Sequence, residues 1–365
     1  MKRLAIVVFL GLAASVRAGG IYSPDEGLFV VEVEPTGDNG AAQGKPFAWS
    51  NFRTLMGTIQ AVDNPAGAKH QEYLARIDER KARIASLDTD AIAGLSADLL
   101  RMRRYEEAIN LLHPLSRDRV KSGFLVWSHL TRAHLARNEL NEAVEAQTTA
   151  VFDYPFPKRF PNRTPLELAW LRTLEKDYFL PLIRSRRAEG TSSNVRDTLD
   201  PLFRYPSTEK GKPGVPIGFL ADDGQYRFDG IAETARAALP ADAIAIVQQL
   251  LLWMPDDSRL MWLLGELYRA RGEIETASAI FDECVREPRN YSSPVLMEHR
   301  QVLRAELEAR LAVEEARLAA EATSVRNRKL AVGLGVGTLI FFLLRSQWRE
   351  IVRRRIRRRA RRNPS

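Results

Sequence analysis

The chain has 365 residues, 45% apolar and 27% charged, a composition that excludes a disordered or fibrous protein and leaves room for one large domain or two compact ones. Its single cysteine, Cys284, excludes an intramolecular disulfide, a Cys-based zinc site and c-type haem attachment. The formal charge of +8 is concentrated at the C-terminus, where ten arginines stand against Glu350 over residues 345–365, so a nucleic-acid-binding body has little electrostatic motive.

In chain order, Lys2 and Arg3, the apolar run Leu4–Ala14 and the small-residue pattern Val16-Arg17-Ala18 predict a signal peptide over 1–18. That run is too short to span ~30 Å of hydrocarbon at ~1.5 Å per residue. Residues 19–88 read as an arm and a capping helix. Leu28–Glu34 alternates as an isolated strand with Phe29, Val31 and Val33 on one face. Pro46–Ile59 fits a short helix presenting Phe52, Leu55, Met56 and Ile59. Lys69–Leu87 fits a charged amphipathic one, with Tyr73, Ile77 and Ile84 on one side.

Residues 89–155 and 224–290 carry a degenerate helical-hairpin pattern. The clearest unit runs from Ser258 to Asn290, where Leu264-Gly265 is followed by Tyr268, Ala277 and Phe281. A second unit from Phe124 has Trp127, Leu130, Ala143 and Pro155 in matching places, with Thr131, His134 and Gln147 as departures. A third from Thr89 keeps Leu95 and Ala108, with Ser96 where Gly265 stands and Arg104-Tyr105 at the turn. The unit from Gly224 keeps only Ala243, Val247 and Pro255. This spacing resembles the tetratricopeptide repeat, with Met261 in place of the family's Trp. The resemblance implies stacked helical hairpins whose first helices line a concave groove for a protein partner. Carried over by repeat position, Arg101, Ser128, Arg132, Trp262, Glu266 and Arg269 would form that wall, with Trp262 as anchor and Arg132 and Arg269 as carboxylate clamps.

Residues 156–223 interrupt the series. Pro155, Pro157, Pro161 and Pro165 predict an extended entry, followed by a helix from Leu166 to about Arg187 with Leu168, Leu171, Leu174 and Leu182 on its core face and a break at Pro181. Ile217–Ala221 and Gln225–Phe228 around Asp222-Asp223-Gly224 predict a β-hairpin. After the last repeat, Ser293 and Pro294 open a long helix over 293–328, a closing and coiled-coil-like stalk element with Leu296, Leu303, Leu307, Leu311 and Leu318 on one stripe. Residues 330–344 are uncharged and read as a transmembrane helix, in which Gly333 and Gly337 form one small-xxx-small pair that would let two copies associate as a homodimer.

The basic tail, 345–365, sets the orientation, because positive residues flank the cytoplasmic side of short membrane segments. Trp348, Arg349, Arg353, Arg354, Arg355, Arg357, Arg358 and Arg359 would lie along an anionic leaflet.

Catalytic motifs are weak. Ser207-Thr208-Glu209-Lys210 matches S-x-x-K, but Pro206 and Lys212-Pro213-Gly214 argue for a loop, and Ser192-Ser193-Asn194 is on the wrong side in chain order. His129 and His134 lie five apart, on different helix faces, so they do not make a metal pair. No cofactor is expected. The expectation is an all-α, tetratricopeptide-like solenoid with a loop and β-hairpin insertion and one C-terminal transmembrane helix. It would act as a non-enzymatic scaffold binding a protein partner outside the cytoplasm. The alternatives are an envelope hydrolase using the insertion, or a tail that binds nucleic acid or an acidic partner.

Overall fold

The computed structural model describes residues 18–24, 27–36, 40–84, 88–190, 198–207, 214–286, 289, 291 and 293–362. Residues 1–17 of the expected leader, the Ser192–Asn194 triplet, Thr208–Lys210 and Lys212-Pro213 lie outside those residues, as do the surroundings of Gly333 and the side chains of Arg354, Arg355, Arg357, Arg358 and Arg359. The chain is mostly helical and divides into two compact units, one ending at Leu303 and one beginning at Arg304.

The first unit opens with four short strands. β1 (Ala18–Gly19) pairs in parallel with β2 (Gly27–Leu28), and β3 (Glu32–Thr36) pairs antiparallel with β4 (Ala41–Lys45), Val33 facing Gly44. The expected isolated strand is therefore half of a hairpin whose second strand, Ala41-Ala42-Gln43-Gly44-Lys45, has no alternating apolar pattern to announce it. Gly44 is required there, because a Cβ would stand 2.6 Å from the Trp170 ring.

Helices α1 (Trp49–Gln60) and α2 (Ala68–Ala82) follow, burying Phe52 and Met56, and Tyr73 and Ile77, respectively. Ile84, expected on the α2 face, is exposed, because the helix ends first. Three helical hairpins come next: α3 (Thr89–Arg101) with α4 (Tyr105–Arg117), α5 (Phe124–Ala136) with α6 (Leu140–Phe152), and, later, α11 (Ser258–Ala270) with α12 (Ile274–Val285). Side-chain caps start two of the first helices: Asp88 accepts from Ala91 N at 2.8 Å, and Asp257 from Leu260 N at 3.0 Å.

The three hairpin turns share one geometry. Arg103, Asn138 and Gly272 hold positive φ of 57°, 61° and 81°. The next amide returns to the last helical turn: Arg104 N to Leu99 O, Glu139 N to His134 O, Glu273 N to Tyr268 O. These are helix stops of the Schellman kind, which satisfy carbonyls the helix end leaves open. Small residues let each pair close, since Ala108, Ala143 and Ala277 are fully buried. Gly265 is packed so tightly that a Cβ would meet Phe281 Cε1 at 2.3 Å. Leu95, Leu99, Leu112 and Leu130 join Ile77 of α2 in one core cluster, each contributing ~1.5–3 kcal/mol by burial.

The interrupting segment folds as α7 (Pro165–Thr173), a wide π-helical turn over Leu174–Phe179, and α8 (Leu180–Glu189), with Pro181 in its first turn. A capping box of Thr164 and Glu167 starts α7. The expected leucines, Leu168, Leu171, Leu174 and Leu182, are all buried.

The hairpin expected at 217–228 does not form among the described residues. Ala221 N bonds Gln225 O at 2.9 Å, but no ladder continues, and the segment's backbone oxygens turn to an arginine instead. The unit expected from Gly224 is also incomplete: α9 (Glu233–Ala238) has six residues, and only α10 (Ala243–Trp253) is a full helix.

α13 (Pro294–Arg362) starts after Ser293, whose hydroxyl accepts from Leu296 N. Leu296 and Leu303 are buried in the first unit. Leu311 and Leu318, on the same expected stripe, are exposed in the second unit, so the closing contact ends within the first three turns. In the second unit Arg310 pairs with Glu306 at 2.6 Å. The described side chains of the apolar segment, Leu339 to Leu344 among them, are exposed on all faces, and the helix is long and apolar enough to cross a membrane.

A central cavity and two buried charged clusters

A cavity of about 780 Å³ opens within the first unit. The ends of α3 and α5 line one side, through Leu100, Arg101, Arg132 and Leu135. The α10–α11 turn lines the other, from Leu252 to Arg259. Gly20 and Ile21 of the arm, the end of α1, Lys69 and Tyr73 of α2, and Arg186 and Glu189 of α8 also line it.

Ion pairs organise its edge. Arg103, held at the hairpin turn, forks onto Asp63 at 2.6 and 2.8 Å and reaches Asp256 at 2.5 Å. All three are substantially exposed and mark the rim. Deeper, Arg186 bridges Asp200 and Asp257, while Arg259 forks onto Glu189. Geometry of this kind is bidentate and organised, the case in which an ion pair adds rigidity.

Arg132 is the innermost cation. Its guanidinium lies 5.0 Å from the Tyr22 ring centroid, 5.2 Å from Phe179 and 4.8 Å from Trp253. Nη2 donates to Glu175 at 2.7 Å, and Nη1 to the Ser128 carbonyl and hydroxyl. Glu175 sits on the π-helical turn and also accepts from Gln147 Nε2 at 2.6 Å. The wide turn directs this carboxylate inward, a local departure that often marks functional sites. Two fully enclosed donors nearby, Arg132 Nε and Trp253 Nε1, have no hydrogen-bond partner.

His129, one helical turn before Arg132 and fully enclosed, is held neutral. Its Nε2–H donates to Tyr22 O at 2.8 Å and its Nδ1 accepts from the Ser96 hydroxyl at 2.6 Å. Burial, then the Arg132 charge, push its pKa down to about 3.

A second cluster surrounds Glu266. Its carboxylate accepts from Trp262 Nε1 at 3.0 Å, Arg269 Nε at 2.9 Å, His299 Nδ1 at 2.6 Å and Tyr226 OH at 3.2 Å. Burial raises the Glu266 pKa, but the His299 hydrogen bond and the Arg269 charge outweigh it, so the carboxyl titrates below its usual range. Arg269 also donates to the carbonyls of Phe219, Arg227 and Gly230, and Tyr226 stacks on His299 at 3.5 Å. The carbonyls that a β-ladder would have used are thus taken by one guanidinium.

Of the six residues carried over to an open groove, Arg101 and Arg132 line the cavity. Arg101 pairs with Asp98 and donates to Ile21 O. Ser128, Trp262, Glu266 and Arg269 are completely enclosed, Trp262 only 1% exposed. Their burial has a physical cause: the N-terminal arm, the interrupting segment and α13 pack over the face that the helical hairpins alone would leave open. Trp253, Arg186, Arg259 and the Gln60–Asp63 stretch are cavity residues that the repeat pattern did not point to. For Trp253 and Arg259 the signal was a long apolar run ending at Pro255-Asp256-Asp257; Arg186 and the Gln60–Asp63 stretch had none.

Cys284 is buried, and desolvation pushes its thiol up to about 12. Ser207 lies on a loop after Pro206. No family model matches the chain, and neither a curated protein nor a solved structure matches it.

Proposed function

We propose that the chain is a membrane-anchored, non-enzymatic binding protein. Its first unit is a tetratricopeptide-like repeat body held outside the cytoplasm, and its arginine tail lies on the cytoplasmic leaflet. The observation that carries this reading is the succession along one helix: α13 begins as a buried part of the repeat body at Leu296 and Leu303 and ends in an apolar segment followed by arginines. The identical turns of three hairpins support the repeat assignment. Arg103, Arg186 and Arg259 of the cavity wall are held in ion pairs with Asp63, Asp256, Asp257 and Glu189, which suits a binding wall better than a nucleophile with its base. A protein partner is the ligand that the repeat resemblance favours, and a homodimer through Gly333 and Gly337 would double the binding surface.

Protease added to spheroplasts tests the topology: the repeat body is digested and an epitope on the tail survives. Survival of the body with loss of the tail overturns it. Crosslinking with mass spectrometry on native membranes then names the partner. Crosslinks confined to cytoplasmic proteins would sink the extracytoplasmic scaffold.

A further inference from the structure

We propose that the central cavity binds a small uncharged amphiphile, a single apolar chain with a hydroxyl head, the chemistry of a long-chain alcohol or a monoacylglycerol. This goes beyond the anchored scaffold and does not depend on its protein partner. A volume of about 780 Å³ lies within the range of small-molecule sites. Ile59, Val62, Leu100, Leu135, Leu252 and Met254 give it an apolar wall, which a chain stabilises by displacing water.

The charge of the ligand follows from how the wall's own charges are engaged. Every described charged side chain on the wall stands in an ion pair. Arg103 holds Asp63 and Asp256, Arg186 holds Asp200 and Asp257, and Arg259 holds Glu189. Lys69, Arg101 and Arg132 pair with Glu72, Asp98 and Glu175. An ionic head of either sign would leave water and find no counter-charge free to receive it, whereas an uncharged head loses far less hydration on entry. Two uncharged polar groups remain open. Tyr105 lies half-buried on the wall, and its hydroxyl makes no hydrogen bond among the described residues. Burial raises its pKa, so it stays a hydroxyl, and the Arg103, Asp256 and Asp63 charges that act on it place it at the rim. Asn138, at φ of 61° in the α5–α6 turn, lines the same cavity with its amide unpartnered among the described residues. A hydroxyl head suits both groups, because it donates and accepts.

The test uses the full chain in lipid nanodiscs with a decanol carrying a photoreactive diazirine in its chain, and peptide mass spectrometry locates the label. Saturable labelling is expected on the peptides that contain Ile59, Leu100 and Met254. The corresponding carboxylate and trimethylammonium, at free concentrations matched in empty nanodiscs, should need at least ~10-fold more for half-saturation. Tyr105→Phe removes the open hydroxyl and should weaken the alcohol roughly 2- to 10-fold while leaving a diazirine alkane unchanged. Met254→Trp fills the cavity and should abolish labelling of those peptides, with circular dichroism confirming its helix content; if it does not fold, the comparison of head groups on the unaltered chain still decides. Labelling that never saturates, half-saturation by either ion at the alcohol's concentration, or labelling that persists in folded Met254→Trp would overturn the proposal. So would alcohol binding unmoved by Tyr105→Phe.

Discussion

Single residues in the first unit carry unusually heavy electrostatic duties. Glu266 is the acceptor for four side chains from α11, α13 and the segment before α9. Glu266→Gln keeps the shape but strands Arg269 without its counter-charge, and breaking a buried pair in this way costs ~3–5 kcal/mol. A thermal melt followed by circular dichroism should show a clear drop in Tm, and an unchanged Tm would mean the cluster contributes little. His129 makes a pH prediction. Its folded pKa, at about 3, is below the ordinary 6.5, so the unfolded chain takes up a proton first as pH falls. Stability from this site is therefore whole above pH 6.5 and is lost between 6.5 and 3, at up to ~1.4 kcal/mol per pH unit. His129→Gln should flatten that part of the profile, read as denaturant midpoints from pH 7 to 4. None of this was legible in the sequence. Glu266 and Arg269 read as part of an open groove wall, and only residues 219–230 and α13, packing from elsewhere in the chain, enclose them.

At the scale of elements, what the sequence revealed depended on whether a motif was local. The hairpins α3–α4, α5–α6 and α11–α12 were readable because apolar spacing, Ala at the crossing and a stop residue lie within one unit of chain. The capping box at Thr164 and the start at Pro294 are likewise local chemistry. The β-hairpin was misplaced for the opposite reason. Asp222-Asp223-Gly224 does make a turn, but Arg269 captures carbonyls on either side of it, while β4 is held by partners outside its own sequence: Asp242 accepts from Gly44 N and from Trp170 Nε1. Two substitutions test the hairpin packing. Gly272→Ala forces a Cβ into φ of 81° and should cost ~1 kcal/mol. Gly265→Ala drives a methyl into the Phe281 ring and should cost ~1–3 kcal/mol. Both read as shifts in Tm, and a neutral Gly265→Ala would show that α11 and α12 separate more easily than their packing implies.

For the whole molecule, the apolar helix makes the simplest prediction. Gly337→Arg places a charge near the middle of the span, which costs ~2.5–3.5 kcal/mol on insertion scales, and fractionation should find the protein released from membranes or uninserted. Retention at the wild-type level would argue against a spanning helix. The folded body has a different long-range signature. Gln249 of α10 accepts from Val31 N and donates to Phe29 O, holding the arm like a neighbouring strand, and Gln248 does the same for Phe47. Tyr22 reaches Trp253 at 5.8 Å. These contacts join residues up to 220 apart in the chain. Read as a timetable of synthesis, that separation means the arm leaves the ribosome first and waits for its clamp. At ~5–20 residues per second the wait is roughly 10–40 s. During it the backbone of Phe29, Val31 and Phe47 is without the side chains that will satisfy it. The earliest part of the body to be made is thus among the last to be finished, and a nascent chain halted before Gln248 would carry an arm open to proteases.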